Sequence, residues 1–366
     1  MSIKKLDIFN VRNIQEASLH FSPSFNFIYG KNASGKSALI EAIFLLGRAK
    51  SFRSTNIKSV IAHSKDNLIV SAHVLQAYSG STQIGLQMDG KEISIRINQQ
   101  SCRKRSILVQ CLPIQIIHPK SYELLDAGAQ IRREFLDWGI FNHNNDYLPL
   151  CRNYKKILAQ RNALLKTRNL NQINVWNKEL AYYGTMVNNY RSLYIDKLEP
   201  IFIRILADFL HLNNLSLKLI SGWELGKSLE QLLSEDIDKD QRYGFTHSGP
   251  HRGDFCLLIE NKLAKETVSR GQLKLLVTCL KLAQVQLMFK EKEFFGCFLI
   301  DDFAAELDKN NREKVINYLS KINCQVFLTS TDIEDFGDFS SIENYKLFHV
   351  EHGKIRVENV PRGTLA

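Results

Sequence analysis

Residues 30–37 read GKNASGKS, a match to G-x-x-x-x-G-K-[ST], and the stretches on either side decide how that match is read. Upstream, FNFIYG (25–30) is a short apolar run ending in glycine, the pattern of a buried strand. Downstream, SALIEAIFLLG (37–47) carries Leu39, Ile40, Ile43 and Leu46 at helical spacing, with Gly47 as a stop. Strand, glycine loop and helix together form the setting in which backbone N–H groups and a helix N-terminus cradle phosphate. Gly30, Lys31, Asn32, Ala33, Ser34 and Gly35 then make the cradle. Lys36 reaches the β- and γ-phosphates of a nucleotide, and the Ser37 hydroxyl holds Mg2+.

A loop of this kind needs acids to order the metal and the attacking water. FFGCFLIDDF (294–303) supplies them, since an apolar strand ends in Asp301-Asp302 and leaves both carboxylates at a sheet edge. Asp301 suits the Mg2+ shell and Asp302 suits the polarisation of water. SRGQ (269–272) precedes a helix with Leu273, Leu276, Val277, Leu280 and Leu287 on one face. Ser269 and Gln272 fit a capping box, and Gly271 leaves backbone N–H groups uncovered at the helix start, a surface able to bind a phosphate carried by a second chain. AELD (305–308) follows the acid pair, and FLTST (327–331) ends a further strand in hydroxyls, Thr329 among them, suited to sensing phosphate or water.

The 366 residues are 44% apolar and 23% charged, which places the chain with globular proteins. No apolar run is long enough to span a bilayer, and the N-terminus lacks the apolar core of a signal peptide. Seven scattered cysteines without a C-x-x-C pair read as free thiols in a reducing compartment, so the expected location is the cytoplasm. The net charge of +10 fits a polyanion partner as well as it fits a lysine-rich surface.

Residues 1 to about 100 are strand-rich, with a hairpin candidate at MDGKE (88–92). From about 120 to 235 the pattern is helical. Trp176, Leu180, Tyr183, Val187, Tyr190 and Tyr194 form one stripe, and Tyr154, Ile157, Leu158, Arg161, Leu164 and Leu165 form another. The two stripes fit either a short antiparallel arm or the core of a helical lobe. SEDIDKDQRYG (234–244) reads as a linker, and strands and helices then return. The expected organisation is α/β: an ATPase lobe from residues 1–118 and 236–366, with a helical lobe or short arm at 119–235 inserted.

GKNASGKS, SRGQ, DDFAAELD and FLTSTD, in that order, resemble the motifs of the ATP-binding-cassette ATPases of the SMC and RecF type. Lys36 and Asp301 lie 265 positions apart, further than in transporter cassettes, and LTST stands where those carry a switch histidine. The helical insert is much shorter than an SMC coiled coil, so the RecF family is the nearer likeness. LDIFNVRNI with Arg12 and Asn13, LIEAIFLLGRAKSFR, RREFLDWGIF (132–141) and GPHRGD (249–254) extend that likeness over nearly the whole chain. The chain departs from the family pattern at Ala33, commonly glycine, at Ser37, commonly threonine, at HPKS (118–121), where Lys120 replaces an acid, and at Ala305, often serine.

The resemblance implies an SMC-head-like fold. It implies a protein of recombinational DNA repair and replication-fork maintenance that binds ATP and Mg2+, forms an ATP-dependent homodimer and hydrolyses slowly. DNA is implied as gapped duplex and single-strand/double-strand junctions, with RecO and RecR as partners in loading recombinase. Within that frame Arg12, Ser269, Gly271, Gln272 and Thr329 join the nucleotide site. Candidate DNA contacts are the charge clusters Arg103, Lys104 and Arg105, and Lys155, Lys156, Arg161, Lys166 and Arg168. His251 and Arg252 fit a structured loop as well as a ligand role, and Gly249-Pro250 argues against His247 and His251 sharing a helix face. The other readings of the loop are a transporter's energy-coupling subunit and a small-molecule kinase. The missing switch histidine opposes the first, and SRGQ and AELD are left without a task in the second.

Overall fold

The computed structural model describes residues 1–76, 80–90, 92–168, 170–292 and 296–358. The chain divides into two compact units, one formed by Met1–Ser121 with Met288–Ala366 and the other by Tyr122–Leu287. The second unit thus runs on well past residue 235, where a return to the ATPase lobe was expected. The reason is a strand the helical pattern hid: Leu215–Ile220 pairs antiparallel with Asp254–Ile259, tying residues on both sides of that expected boundary into one sheet.

In the first unit both ends of the chain build one six-stranded sheet. Its order is Lys354–Glu358, Tyr345–Glu351, Phe25–Tyr29, Gln325–Ser330, Cys297–Ile300 and Ile114–Ile117. All neighbours are parallel except the first pair. Strands buried on both faces read as unbroken apolar runs, and every residue of Cys297–Ile300, Gln325–Ser330 and Ile114–Ile117 is buried. A second, antiparallel sheet runs Ile14–His20, Ser2–Val11, Leu68–Leu75, Ser81–Met88, Ile93–Ile97 and Gln100–Cys102. The expected hairpin joins Ser81–Met88 to Ile93–Ile97.

The helix Lys36–Arg48 shares one core with both sheets, with Leu39, Ile43 and Leu46 fully buried. Gly47 is not its stop. A side chain there would come within 2.6 Å of Ile114 and of the Leu112 carbonyl, so the glycine lets the helix approach its neighbours. The helix ends at Ala49, in the left-handed conformation at φ +47°. Gln325 fastens sheet to sheet: its buried amide accepts from Ile3 N at 2.7 Å and donates to the carbonyls of Ile3 at 2.9 Å and Ser22 at 2.7 Å.

The second unit packs Tyr147–Thr167 against the 37-residue helix Ile173–Phe209, the two striped segments. Residues 234–244 are not a linker but fall largely in the short helices Leu229–Glu235 and Ile237–Tyr243. The segments 132–141 and 249–254 clamp each other. Arg132 holds Asp254 through two bonds of 2.7 and 2.8 Å, Arg133 donates to Gly253 O, and Arg191 joins Asp137 to the Pro250 carbonyl. His251 is likewise structural, with its ring nitrogens against Tyr154 Oη at 2.6 Å and Thr246 O at 3.0 Å. Among the described residues no helix is long and apolar enough to cross a membrane.

Arg161, proposed above as a DNA contact, is fully buried and reaches no solvent. Its guanidinium bonds Asp240 at 2.6 Å, Asn177 at 2.7 Å, Thr246 at 2.8 Å and the Leu233 carbonyl at 3.0 Å. Arg161→Met leaves the Asp240 carboxylate buried without its partner. Denaturant unfolding is expected to show a loss of about 3–5 kcal/mol, where a surface DNA contact would show almost none.

Candidate nucleotide site

Parallel register brings the motifs together. Ile300 pairs with Leu328 and Leu328 with Phe27, so three neighbouring strands end level and deliver Asp301, Thr329 and Gly30 to one edge. Ligands of open α/β sheets bind at that edge, beyond the carboxyl ends of the strands. A cleft of about 670 Å³ opens there, lined by the loop residues Asn32–Ser37 and by Asp301, Asp302 and Thr329.

The loop is shaped by its backbone. Gly30 sits at φ +150°, and a side chain there would strike the Val350 carbonyl at 2.2 Å. Gly35 stands at φ +125° and Ala33 at φ +62°, so Ala33 occupies a conformation that favours glycine. Lys36 curls over the loop and donates to the Gly30 carbonyl at 2.5 Å and the Lys31 carbonyl at 3.0 Å. Burial lowers the Lys36 pKa, against the opposing pull of Asp302, Asp301 and Asp332. The amine is thus a desolvated cation facing three carboxylates, suited to phosphate oxygens.

One hydroxyl organises the acids. Thr329 Oγ1 donates to Asp301 Oδ1 at 2.9 Å and accepts from the Asp302 backbone N–H at 2.8 Å. Asp302 stands in the left-handed region at φ +60°, tolerated by aspartate at single positions. Asp301 is only 4% exposed, and burial raises its pKa despite hydrogen bonds from Thr329 and Ser37 and the nearby Arg53. Thr329 therefore positions both acids. The neighbouring hydroxyls of Ser330 and Thr331 bond Asp335, at 2.6 and 3.2 Å.

Ser37 hydroxyl beside the Asp301 carboxylate is a hard-oxygen pair that fits Mg2+, an ion that keeps waters and phosphate oxygens for its remaining positions. Among the described residues no group of three or more His, Cys, Asp or Glu side chains forms a closed metal cage.

Arg12 reaches the rim of the cleft, but its guanidinium is held in a two-bond pair with buried Glu41, at 2.8 and 3.0 Å, and by the Ser59 carbonyl. Its neighbour Asn13 braces the loop, donating to the carbonyls of Ala33 at 3.2 Å and Ser34 at 3.1 Å. That role was not anticipated, because nothing local marks a bond between residues twenty positions apart. Gly353 N–H also reaches the Ser34 carbonyl, at 2.7 Å. Phe52, Arg53, His118 and Lys120 complete the wall.

The SRGQ segment lies in the second unit. Its capping box is formed, with Gln272 N bonding Ser269 Oγ at 3.3 Å and Ser269 N bonding Gln272 Oε1 at 2.9 Å. Ser269 and Gly271 are exposed, and a side chain on Gly271 would meet only open space. In AELD, Asp308 caps the helix Lys309–Ser320 by accepting from Asn311 N. Arg103, Lys104, Arg105, Lys155 and Lys156 are all exposed.

The chain matches the family model for the RecF/RecN/SMC N-terminal domain over residues 2–356. It is 36% identical over 359 residues to the DNA replication and repair protein RecF of Pseudomonas entomophila (strain L48), covering 97% of this chain and 98% of that one. Among solved structures it resembles the recombination mediator protein RecF with ATP, from the RecFOR pathway, at 26% identity and a TM-score of 0.85, covering 98% of this chain and 97% of the other. An SMC head bound to the C-terminal winged-helix domain of ScpA shares the fold at 16% identity and a TM-score of 0.59, with 99% and 98% covered.

Two stability measurements check this geometry. Ala33→Gly removes a left-handed alanine at a cost in unfolded-chain entropy. Chemical denaturation is expected to show a gain of roughly 0.5 kcal/mol, and a loss would contradict the loop geometry. Asp301 holds its proton to higher pH folded than unfolded. Its contribution to stability is therefore full below the ordinary carboxylate range and is lost as pH rises through the folded value. Without nucleotide or Mg2+, Asp301→Asn should melt above the wild type at neutral pH, with the gap closing in acid.

Proposed function

This chain belongs to the RecF family, and we propose on that premise that it is an ATP-switched DNA-binding protein of recombinational repair and replication-fork maintenance. The observation that carries the reading is the meeting of Lys36, Ser37, Asp301, Asp302 and Thr329 at one sheet edge, across 265 positions of sequence. A relative whose structure is described with ATP supports the choice of nucleotide.

In this reading the loop N–H groups and the start of the helix Lys36–Arg48 bind the phosphates. Lys36 exchanges its bonds to the Gly30 and Lys31 carbonyls for phosphate oxygens. Ser37 and Asp301 hold Mg2+, which when bound neutralises charge on the transferring phosphoryl group. Asp302, its N–H fixed by Thr329 and its side chain half-buried, orients water. Aspartate is one methylene shorter than glutamate and reaches less far toward that water, consistent with slow turnover.

Two copies complete the site. The exposed capped helix at Ser269, Gly271 and Gln272 meets the γ-phosphate held by Lys36 of a partner, so ATP drives dimerisation. The dimer engages gapped duplex and single-strand/double-strand junctions in the cytoplasm, working with RecO and RecR to load recombinase. Exposed Arg103, Lys104, Arg105, Lys155 and Lys156 supply phosphate contacts.

The test is Asp302→Asn. Nucleotide titration should show ATP affinity near wild type. Single-turnover hydrolysis should slow by about a hundredfold, the lower range for loss of a general base. Wild-type turnover in this variant would move the water-orienting role elsewhere.

A further inference from the structure

Three aromatic side chains crowd the surface just beyond the short helix Ile237–Tyr243. Tyr243 is 57% exposed and Phe245 36% exposed, while Thr246, Ser248, Gly249 and Pro250 beside them are buried. With His247 they form a triangle, with ring centroids 4.4 Å apart for Phe245–His247, 5.2 Å for Tyr243–His247 and 6.1 Å for Tyr243–Phe245. From Phe245 to Ser248 the chain alternates, with odd positions outward and even positions inward. Gly244, at φ +74°, makes the turn out of the helix.

The triangle is rigidly mounted and positively edged. His247 bonds the buried Asp240 carboxylate through both its backbone N–H, at 3.0 Å, and its ring Nδ1, at 2.7 Å. Buried Arg161 fixes that carboxylate from the other side. The Arg252 guanidinium lies 5.1 Å from the Phe245 ring centroid and that of Arg242 5.9 Å from the Tyr243 centroid. The Lys166 stem packs against Gly244.

We propose that the Tyr243–Phe245–His247 triangle is a stacking platform for unpaired bases of single-stranded DNA, with Arg242, Arg252 and Lys166 taking the adjoining phosphates. The proposal rests on the reading of this chain as a DNA-binding protein. Exposed rings interleaved with arginines match a polyanion that carries flat faces. The core of a protein interface is instead depleted of charge, and the bases of an intact duplex are stacked on one another and offer no faces.

Full-length protein is titrated with labelled oligo-dT and with a duplex of equal length at one salt concentration. The proteins are wild type, the pair Tyr243→Ala with Phe245→Ala, and Phe245→Trp. The alanine pair should lose about tenfold or more in affinity for oligo-dT and keep its affinity for duplex within about twofold. Phe245→Trp should bind oligo-dT at least as well as wild type, with its added tryptophan emission quenched. This second variant keeps the test decisive if the alanine pair fails to fold.

Equal losses on both DNAs, unchanged oligo-dT affinity in the alanine pair, or unquenched emission while oligo-dT binds would overturn the platform. An alanine pair with normal DNA affinity that no longer assembles with ATP would assign the rings to a protein contact instead. Wild type that binds duplex but not oligo-dT would overturn the platform and leave the DNA-binding reading standing. Wild type that binds neither would remove both.

Discussion

The bridge made by the Thr329 hydroxyl, from the Asp301 carboxylate to the Asp302 N–H, is the contact on which the nucleotide site depends. It lies on the strand Gln325–Ser330, between the strand that ends in the glycine loop and the strand that ends in the acids. A hydroxyl has one proton to give and lone pairs to receive, so this side chain fixes one acid by its carboxylate and the other by its backbone. Asp301 is left buried and poised beside Ser37. Asp302 is left at a backbone turn with its carboxylate partly in solvent. Parallel pairing makes this arrangement possible, because it ends all three strands at one edge.

The parts of the site that are local in sequence were legible in sequence. The glycine loop follows from the strand and helix that flank it, and the acid pair from the apolar strand that precedes it. The Ser269–Gln272 box formed as its spacing required. Parts that depend on distant partners were not legible. Nothing around Asn13 marks its bonds to the carbonyls of Ala33 and Ser34, and the Arg12 pairing with Glu41 turns a candidate ligand into a brace at the rim.

Other differences had readable signals. Arg161 falls on the apolar stripe between Ile157 and Leu165, and an arginine there is placed for burial rather than for DNA. Ser228 caps the helix Leu229–Glu235 through Gln231 N, and Gly244 terminates Ile237–Tyr243 in the left-handed conformation. Those two residues mark helix ends, although the acidic stretch between them looks like a linker. The strand Leu215–Ile220 is six residues of alternation inside a long helical pattern, too short a signal to compete with its surroundings.

Each copy thus carries an incomplete nucleotide site and an exposed, capped helix start on its second unit, and the central claim is that one completes the other. Light scattering at several protein concentrations, with and without ATP and Mg2+, tests it on the wild type and on Ser269→Arg. The account predicts an ATP-dependent doubling of mass in the wild type. It predicts a Ser269→Arg protein that binds ATP with near-normal affinity and stays monomeric. A wild type that remains monomeric with ATP and DNA present, or a variant that dimerises as well as the wild type, would contradict it.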